Sequence, residues 1–263
     1  MSILHNAAQL LHLFHAECPD LTVTEASQRL NMPKANASRL FKAMREAGLL
    51  EVIGNTRRHR PGKLLLDLAV AYRRSSGLIG RAGEVVAEVT RNCGHTGYVS
   101  VLDGREVTAV LDFEGSNSLR VVSNMGRRLQ AHRSATGRSL LARLPAEQVA
   151  ALYADHPAEP ELPAQLEQIR RAGFSYSNQE STPGVEAIGI AVADPSTQEA
   201  VSLCIVYPHT VVDEAARYAI IAALGQGAAR IAAQLGDTDF TPPAGIEDSG
   251  TEESGIEEKE TAE

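Results

Sequence analysis

The chain has 263 residues, 43% of them hydrophobic, which is enough for two domains with ordinary cores. It contains no run of eighteen apolar residues and begins without the basic and apolar regions of a secretory signal, so we expect a cytoplasmic protein with no membrane contact. Its three cysteines lie far apart, which argues against a disulfide framework and a clustered zinc site. We therefore expect neither a metal nor a cofactor.

The net charge of −8 is distributed unevenly along the chain. Residues 1–75 carry 11 basic and 6 acidic side chains, residues 76–236 carry 13 and 17, and residues 237–263 carry 1 and 10. A basic N-terminal part suits contact with phosphates. The last segment is rich in Pro, Gly, Glu, Ser and Thr and cannot offset its ordering entropy by burial, so we predict a disordered acidic tail over 237–263, whose role stays open.

Apolar spacing in the N-terminal part predicts three helices followed by a hairpin. Pro33 is suited to the start of the third helix and Gly48 to its end, while Thr22–Glu25 offers a hydroxyl cap for the second. The predicted helices are Ile3–Ala16, Glu25–Leu30 and Lys34–Ala47, and the predicted strands are Leu49–Ile53 and Arg57–Arg60. This order is the outline of a winged helix-turn-helix.

An amphipathic helix, Leu64–Arg74, and a hinge at Ser75–Gly77 lead into the second half of the chain. There the pattern alternates between strands and helices, and Asp103–Gly104 predicts a hairpin turn. The predicted strands are Tyr98–Leu102, Val107–Phe113, Leu119–Val122, Ala187–Ala193 and Ala200–Val206. The predicted helices are Ile79–Asn92, Ala135–Leu144, Ala146–Asp155, Ala164–Ala172 and Val212–Leu235.

The outward residues of the third helix are short or cationic, which suits a helix that enters the major groove. A basic helix face is often merely solvated, and an arginine hairpin can be a surface loop, but their order within about sixty residues favours DNA. The candidate base-reading residues are Lys34, Asn36, Ser38, Arg39 and Lys42, and the candidate backbone contacts are Arg57, Arg58 and Arg60.

Residues 2–236 resemble the IclR family of bacterial regulators. The resemblance rests on Thr22-Val-Thr-Glu-Ala26 and Pro33-Lys-Ala-Asn-Ala-Ser-Arg-Leu40, and it adds Thr24 and Pro33 to the DNA-binding set. The chain departs from the family at His59-Arg-Pro-Gly62, where tyrosine-x-leucine-glycine is usual, and at Asn31, where glycine is usual. Asparagine tolerates the left-handed backbone of such a turn, whereas the first departure leaves the fold intact and changes the residues of the wing.

The resemblance implies an α+β protein with four segments. These are a winged helix-turn-helix DNA-binding domain (1–63), a linker helix and hinge (64–77), a GAF-like effector domain with an antiparallel sheet (78–236) and the tail (237–263). Two further motifs carry it, Leu129-Gln-Ala-His-Arg-Ser-Ala-Thr-Gly-Arg138 and the stretch from Gly173-Phe174 through Glu180 to Gly184-Val185. Ser134 can cap a helix that leaves N–H groups open to an acceptor, although small residues there can also reflect close packing.

By family position, the implied effector site is mostly apolar, with a few hydroxyls and one thiol. It comprises Ala135, Thr136, Ser177, Val185, Ala187, Cys204 and Val206, with Val121, Met125 and Leu129 closing the apolar side. No cluster of lysine or arginine points at this site, so an aromatic or short aliphatic carboxylic acid, or an amide-like relative, fits better than a phosphate or a sugar.

The resulting hypothesis is a transcription regulator that binds double-stranded operator DNA as a homodimer or homotetramer and responds to a small effector. One alternative is a hydrolase that uses Cys204 or Ser134, but the sequence offers neither residue an acid–base partner, and a cysteine on a strand is more often a buried apolar residue. A second alternative is a module whose N-terminal part binds protein, against which the basic hairpin argues. Repression and activation stay open.

Overall fold

The computed structural model describes residues 2–15, 17–123 and 125–243. The predicted tail from 244 onward lies outside the described residues. The N-terminal part packs three helices against a three-stranded antiparallel sheet of order β1-β3-β2. Its elements are α1 (Ile3–Leu11), β1 (Leu21–Thr22), α2 (Val23–Arg29), α3 (Lys34–Glu46), β2 (Leu50–Val52) and β3 (Arg58–Pro61).

Local sequence sets the boundaries of α2 and α3. The Thr22 hydroxyl accepts from the Glu25 backbone N–H, and the Glu25 carboxylate accepts from the Thr22 N–H at 2.7 Å, which is a complete capping box. Asn31 has the positive φ of 47° that the turn requires, as predicted for an asparagine in place of glycine. Phe41 and Met44 of α3 pack on Leu10 of α1 in a small core.

The second half is a six-stranded antiparallel sheet of order β6-β5-β4-β9-β8-β7 with helices on both faces. Its strands are β4 (Thr96–Asp103), β5 (Glu106–Phe113), β6 (Arg128–Gln130), β7 (Ser175–Asn178), β8 (Val185–Asp194) and β9 (Glu199–Pro208). The helices from the linker onward are α4 (Lys63–Ser75), α5 (Gly77–Cys93), α6 (Ala135–Leu141), α7 (Ala146–Leu152), α8 (Leu162–Ala172) and α9 (Glu214–Leu235). The predicted α+β architecture is confirmed.

Two apolar cores hold the helices on the sheet. Residues of α5 and α9 form the larger core with one face, and residues of α6, α7 and α8 form the second core, which includes Val107 and Ala191 of the sheet. A Cβ at Gly227 of α9 would lie 2.2 Å from the Val85 side chain of α5, so only glycine allows these two helices to cross this closely. Among the described residues, no helix is long and apolar enough to cross a membrane.

The predicted strand Leu119–Val122 is wrong, because this segment is irregular and the strand that completes this edge of the sheet is β6. The carbonyl of Val121 accepts from the Thr96 hydroxyl instead of joining a ladder. Leu119 and Val122 are exposed. Strand β7 was not predicted, since four residues of mixed polarity carry little periodic signal.

The predicted start of the disordered tail at Asp237 is also wrong for residues 237–243, which we call the C-terminal strap. The Asp237 carboxylate pairs with Arg143, two residues after the end of α6, and accepts from the Ala193 N–H of β8 at 2.8 Å. Phe240 packs against the larger core. Average composition predicted disorder, but one buried, well-paired aspartate fixes the strap to the domain.

Candidate DNA-binding surface and ligand cavity

Helix α3 presents one buried and one polar face. Its apolar residues Ala37, Leu40, Phe41 and Met44 are buried, which leaves the predicted base-reading residues in solvent. Arg39 donates to the Asn36 side-chain oxygen at 2.9 Å. The predicted residues that are exposed are Thr24, Pro33, Lys34, Asn36, Ser38, Arg39 and Lys42. The surface has the donors and acceptors that major-groove recognition requires.

The three hairpin arginines have different surroundings. Arg57 is exposed and forms no ion pair with any other residue in the described part of the chain. Arg58 pairs with Asp20 and Glu25, and Arg60 pairs with Glu51 at 2.6 Å. Arg57 is therefore available to a phosphate as it stands, whereas Arg58 ties β3 to α2.

His59 fills the space between the hairpin and α3. Its ring is buried and meets Phe41 edge-on, with ring centroids 4.8 Å apart. Burial, and to a smaller extent the charge of Arg45, lowers the pKa of His59 below its usual 6.5. At this position the chain therefore places an imidazole ring in the core of the domain, where tyrosine is usual in the family.

A cavity of about 270 Å³ lies beside α6, above β4, β9 and β8. Eight of the ten predicted effector residues line it, namely Val121, Leu129, Ala135, Thr136, Val185, Ala187, Cys204 and Val206. Met125 is 37% exposed and is not part of the wall. Ser177 is buried on β7, one strand beyond its neighbour Ala187, so it does not reach the cavity.

The floor of the cavity is electrically neutral. Ala135, Ala187 and Cys204 form a small apolar cluster with Tyr98 and Val206. Burial raises the pKa of the Cys204 thiol to about 11, so it stays protonated near neutral pH and is a poor nucleophile. This chemistry suits the apolar part of a ligand.

The Ser134 hydroxyl already has a structural role, since it accepts from the Gly137 N–H at 3.0 Å and caps α6. A Cβ at Gly137 would lie 2.2 Å from the Ala131 carbonyl oxygen. A Cβ at Gly189 of β8 would lie 2.9 Å from the Ala135 carbonyl oxygen. Close packing is therefore one reason for the small residues in this motif, and it brings the start of α6 directly onto the sheet.

The two effector-domain motifs meet in one ion pair. Arg138 of α6 is buried, and its guanidinium holds both Glu180 carboxylate oxygens. The same guanidinium donates to the Tyr176 carbonyl at 2.7 Å. Glu180 precedes Ser181 and Thr182, which line the cavity, so the pair fixes a loop of the cavity wall to α6.

The prediction missed several wall residues, the most important of which is Arg127. We expected no cluster of cationic residues at the site, and the structure places one arginine there, which donates to the Thr182 hydroxyl at 3.2 Å. Arg127 follows an irregular segment that has no periodicity to reveal which way its side chains point. The other unpredicted wall residues are Tyr98, Ser100, Val107, Ala109, Val122, Ser134, Ser181 and Thr182. The described residues hold no group of three or more potential metal ligands.

A helix-turn-helix with an exposed polar helix, joined to a separate domain with a ligand-sized cavity, defines a DNA-binding transcription regulator. The family model for the IclR helix-turn-helix domain matches residues 4–54, and that for the bacterial transcriptional regulator IclR C-terminal domain matches residues 70–233. The chain belongs to the IclR family of transcriptional regulators. Because the family consists of regulators, the hydrolase alternative is wrong.

Curated relatives agree with this assignment. The chain is 26% identical to the HTH-type transcriptional regulator XynR of Escherichia coli over 72% of this chain and 79% of XynR. It is 25% identical to KdgR of E. coli over 84% of this chain and 88% of KdgR. These matches extend across the DNA-binding and cavity-bearing parts together.

Solved structures show the same fold. An IclR transcriptional regulator from Alicyclobacillus acidocaldarius aligns with a TM-score of 0.77 at 20% identity, covering 88% of this chain and 97% of that one. An IclR homologue from Microbacterium hydrocarbonoxydans, complexed with 4-hydroxybenzoate, aligns with a TM-score of 0.73 at 20% identity, covering 90% and 100%.

Proposed function

We propose that this regulator binds an operator through α3 and the β2–β3 hairpin, and that a small organic acid in the cavity changes its affinity for that operator. The observation that carries the proposal is the cavity of about 270 Å³, whose wall is mostly apolar and includes hydroxyls and one arginine. Its volume lies just below the range of about 300–1,000 Å³ typical of drug-sized sites, which suits a single ring or a short chain. The similar structure that holds 4-hydroxybenzoate supports this ligand class.

In this proposal α3 enters the major groove, while the hairpin contacts the phosphate backbone. Asn36 can pair with adenine and Arg39 with guanine or phosphate. Arg57 contributes a backbone contact, and Arg58 and Arg60 would do so only where DNA competes with their acidic partners. As a DNA-binding protein of bacterial type, the chain would act in the cytoplasm.

We further propose that two copies pair through α4 and α1. None of the residues of α4 is buried, and Leu66 and Leu68 are 63% and 54% exposed. Ile3 and Leu4 of α1 are exposed as well. Exposed apolar faces of this extent mark interaction sites, and pairing of two DNA-binding domains suits a palindromic operator. A dimer is the minimum, and a tetramer would pair two such dimers.

The pairing is tested by sedimentation of the variant with both Leu66→Glu and Leu68→Glu. We expect a smaller assembly and weaker operator binding, because each subunit must then bind its half-site alone. Arg74→Glu, also on α4, is the matched control for added negative charge. A wild-type chain that sediments as a monomer at micromolar concentration would contradict the proposal.

We propose that residues 64–77 transmit the effector's influence between the domains at 1–63 and 78–236. Helix α4 ends at Ser75, and Ser76 caps α5 by accepting from the Ile79 N–H at 3.1 Å. The Ser76 hydroxyl donates to Glu199 of β9 at 2.7 Å. One residue therefore joins the two helices, so a small shift at Ser76 would change where the DNA-binding domains lie.

The DNA-binding proposal is tested by fluorescence anisotropy of the full chain on its own upstream intergenic DNA and on scrambled DNA, across a salt series. We expect tighter binding to the upstream DNA and a steep loss of affinity with salt, because cationic side chains displace counterions from phosphates. Arg39→Ala should weaken this binding, which would assign it to α3. Equal, weak binding to both DNAs that Arg39→Ala leaves unchanged would contradict the proposal and favour a protein partner for the N-terminal domain.

A further inference from the structure

Arg127 is the only formally charged residue that lines the cavity in the described part of the chain. It lies at the end of the irregular segment between β5 and β6. Its Nη1 donates to the hydroxyl of Thr182 at 3.2 Å, and Thr182 belongs to the loop between β7 and β8. The cation thus lies where two loops of the wall meet.

Arg127 forms no ion pair with another described residue, unlike the arginines near it in sequence. Arg120 pairs with Glu114 at 2.8 Å, and Arg128 pairs with Asp103 at 2.8 Å and Glu106 at 3.1 Å. The pKa of Glu17, in the DNA-binding domain, is lowered chiefly by a hydrogen bond with His15. The charge of Arg127 makes only a minor contribution to this shift.

A guanidinium carries five N–H donors, and the single described hydrogen-bond partner of Arg127 is a neutral hydroxyl. Among the residues that the structure describes, most of these donors have no partner and can bind a ligand. The guanidinium fork matches the two oxygens of a carboxylate, and the resulting charge-assisted hydrogen bonds are about twice as strong as neutral ones.

We propose that Arg127 binds the carboxylate of the effector and that Thr182 orients Arg127 for this contact. The inference rests on the proposed function of the cavity. The apolar part of the ligand then lies on the floor against Ala135, Cys204 and Val206, where no charged group would solvate an anion. The effector is accordingly a monocarboxylic acid whose carboxylate faces the two loops.

This arrangement predicts that the protein prefers an acid to the amide of the same shape. An amide loses the charge-assisted contact and brings an NH₂ group against a guanidinium that has no acceptor to offer. Hydrogen bonds to charged groups contribute about 1.5–3 kcal/mol, which corresponds to roughly a ten- to hundredfold preference.

The test measures the affinity of the full chain for matched acid and amide probes by calorimetry. The pairs are 4-hydroxybenzoate with 4-hydroxybenzamide, benzoate with benzamide, and propionate with propionamide. The variants are Arg127→Gln, Thr182→Val and Arg128→Gln. The last is the matched control, because Arg128 pairs with Asp103 and neither residue lines the cavity. Circular dichroism checks that each variant folds.

We expect the wild type and Arg128→Gln to prefer at least one acid over its amide by roughly ten- to hundredfold. Arg127→Gln should remove this preference for the acid and leave the affinity for the amide unchanged. Thr182→Val should reduce the preference for the acid. Undiminished acid affinity in Arg127→Gln would overturn the role of Arg127 while leaving the cavity as a ligand site. An equal loss for acid and amide would also overturn it, because it would show a change of shape. If the wild type binds none of the probes, the organic-acid function and this inference both fail.

Discussion

Arg57 and Arg58 are adjacent in sequence but have different partners, so their substitution should have different effects. Arg57→Gln should weaken DNA binding on all sequences and reduce the salt slope of log affinity by about 1, because one phosphate contact is lost. Arg58→Gln should lower the thermal unfolding midpoint, since it leaves Asp20 and Glu25 without their cation. Anisotropy over a salt series measures the effect of Arg57→Gln on DNA binding, and thermal melts measure the effect of Arg58→Gln on stability. An Arg57→Gln variant with the wild-type slope would contradict this prediction.

Histidines that are wholly or largely shielded from water should make the protein less stable as the pH falls. Burial lowers the pKa of His59, His95 and His132 below the usual 6.5. Below about pH 6.5 the unfolded chain binds protons that the folded chain does not, so the free energy of unfolding rises with pH across this window and falls on acidification. Thermal melts at about pH 7.5, 6.5 and 5.5 measure the effect.

The contribution of His59 can be isolated with His59→Phe, because the phenyl ring keeps the edge contact with Phe41 and does not titrate. This variant should lose less stability than the wild type between about pH 6.5 and 5.5. His156→Phe, at an exposed position, controls for the loss of a histidine. A wild-type pH dependence in His59→Phe would contradict the assignment.

At the scale of elements, the C-terminal strap should stabilise the effector domain through one ion pair. The side chains of Asp237 and Arg143 are 1% and 16% exposed, and Asp237 also accepts from the Ala193 N–H. Asp237→Ala leaves the largely buried guanidinium of Arg143 without its carboxylate, so the free energy of unfolding should fall by about 3 kcal/mol. Denaturant unfolding monitored by circular dichroism measures this loss.

The matched control is a chain that ends after Pro243, which keeps the strap and lacks the rest of the predicted tail. We expect it to unfold like the full chain, since the tail composition predicts no burial. If Asp237→Ala and the control both match the wild type, the strap does not stabilise the domain.

Elements with a long periodic pattern were predicted within a few residues, as for α3, α5, β8 and β9. The errors fall where local pattern is weak or tertiary contacts decide. The segment 119–122 has strand-forming residues, but the Val121 carbonyl accepts a hydrogen bond from the Thr96 side chain and pairs with no strand. The strap has a polar composition, but the buried carboxylate of Asp237 anchors it to the domain. Both outcomes depend on partners distant in sequence.

At the scale of the whole molecule, the effector and the operator should influence each other reciprocally. If an acid changes operator affinity by some factor, the operator must change acid affinity by the same factor, and 1–3 kcal/mol of coupling corresponds to about 5–150-fold. Anisotropy with and without acid, and calorimetry with and without operator, measure the two factors. Unequal factors at equilibrium would show that the acid acts on a process other than operator binding, such as assembly.

The double variant Leu66→Glu with Leu68→Glu serves as the control for this linkage. It should still bind acid, because α4 takes no part in the cavity wall. Its coupling should be much smaller, since the effector would have no paired DNA-binding domains to reposition. If this variant kept the full coupling, the effect of the acid on operator affinity would not depend on pairing through α4.

The sequence by itself determined the class of protein, because its signals are local. A hydroxyl cap, a proline-led helix, an arginine hairpin and two effector-domain motifs each lie within about thirteen neighbouring residues, and their order defines the two functional parts. Most of the predicted cavity residues followed from family position, since regular strands and α6 fix where alternate side chains point.

The tertiary structure alone decided which charged groups are paired and which remain available. Arg58 and Arg60 have carboxylate partners, and Arg138 meets Glu180 from a distant segment, whereas Arg127 faces the cavity with a hydroxyl as its described partner. No periodicity encodes these relations, because they arise when irregular loops converge over the sheet. Ion pairing depends on distance in space, and sequence spacing within a loop does not determine that distance.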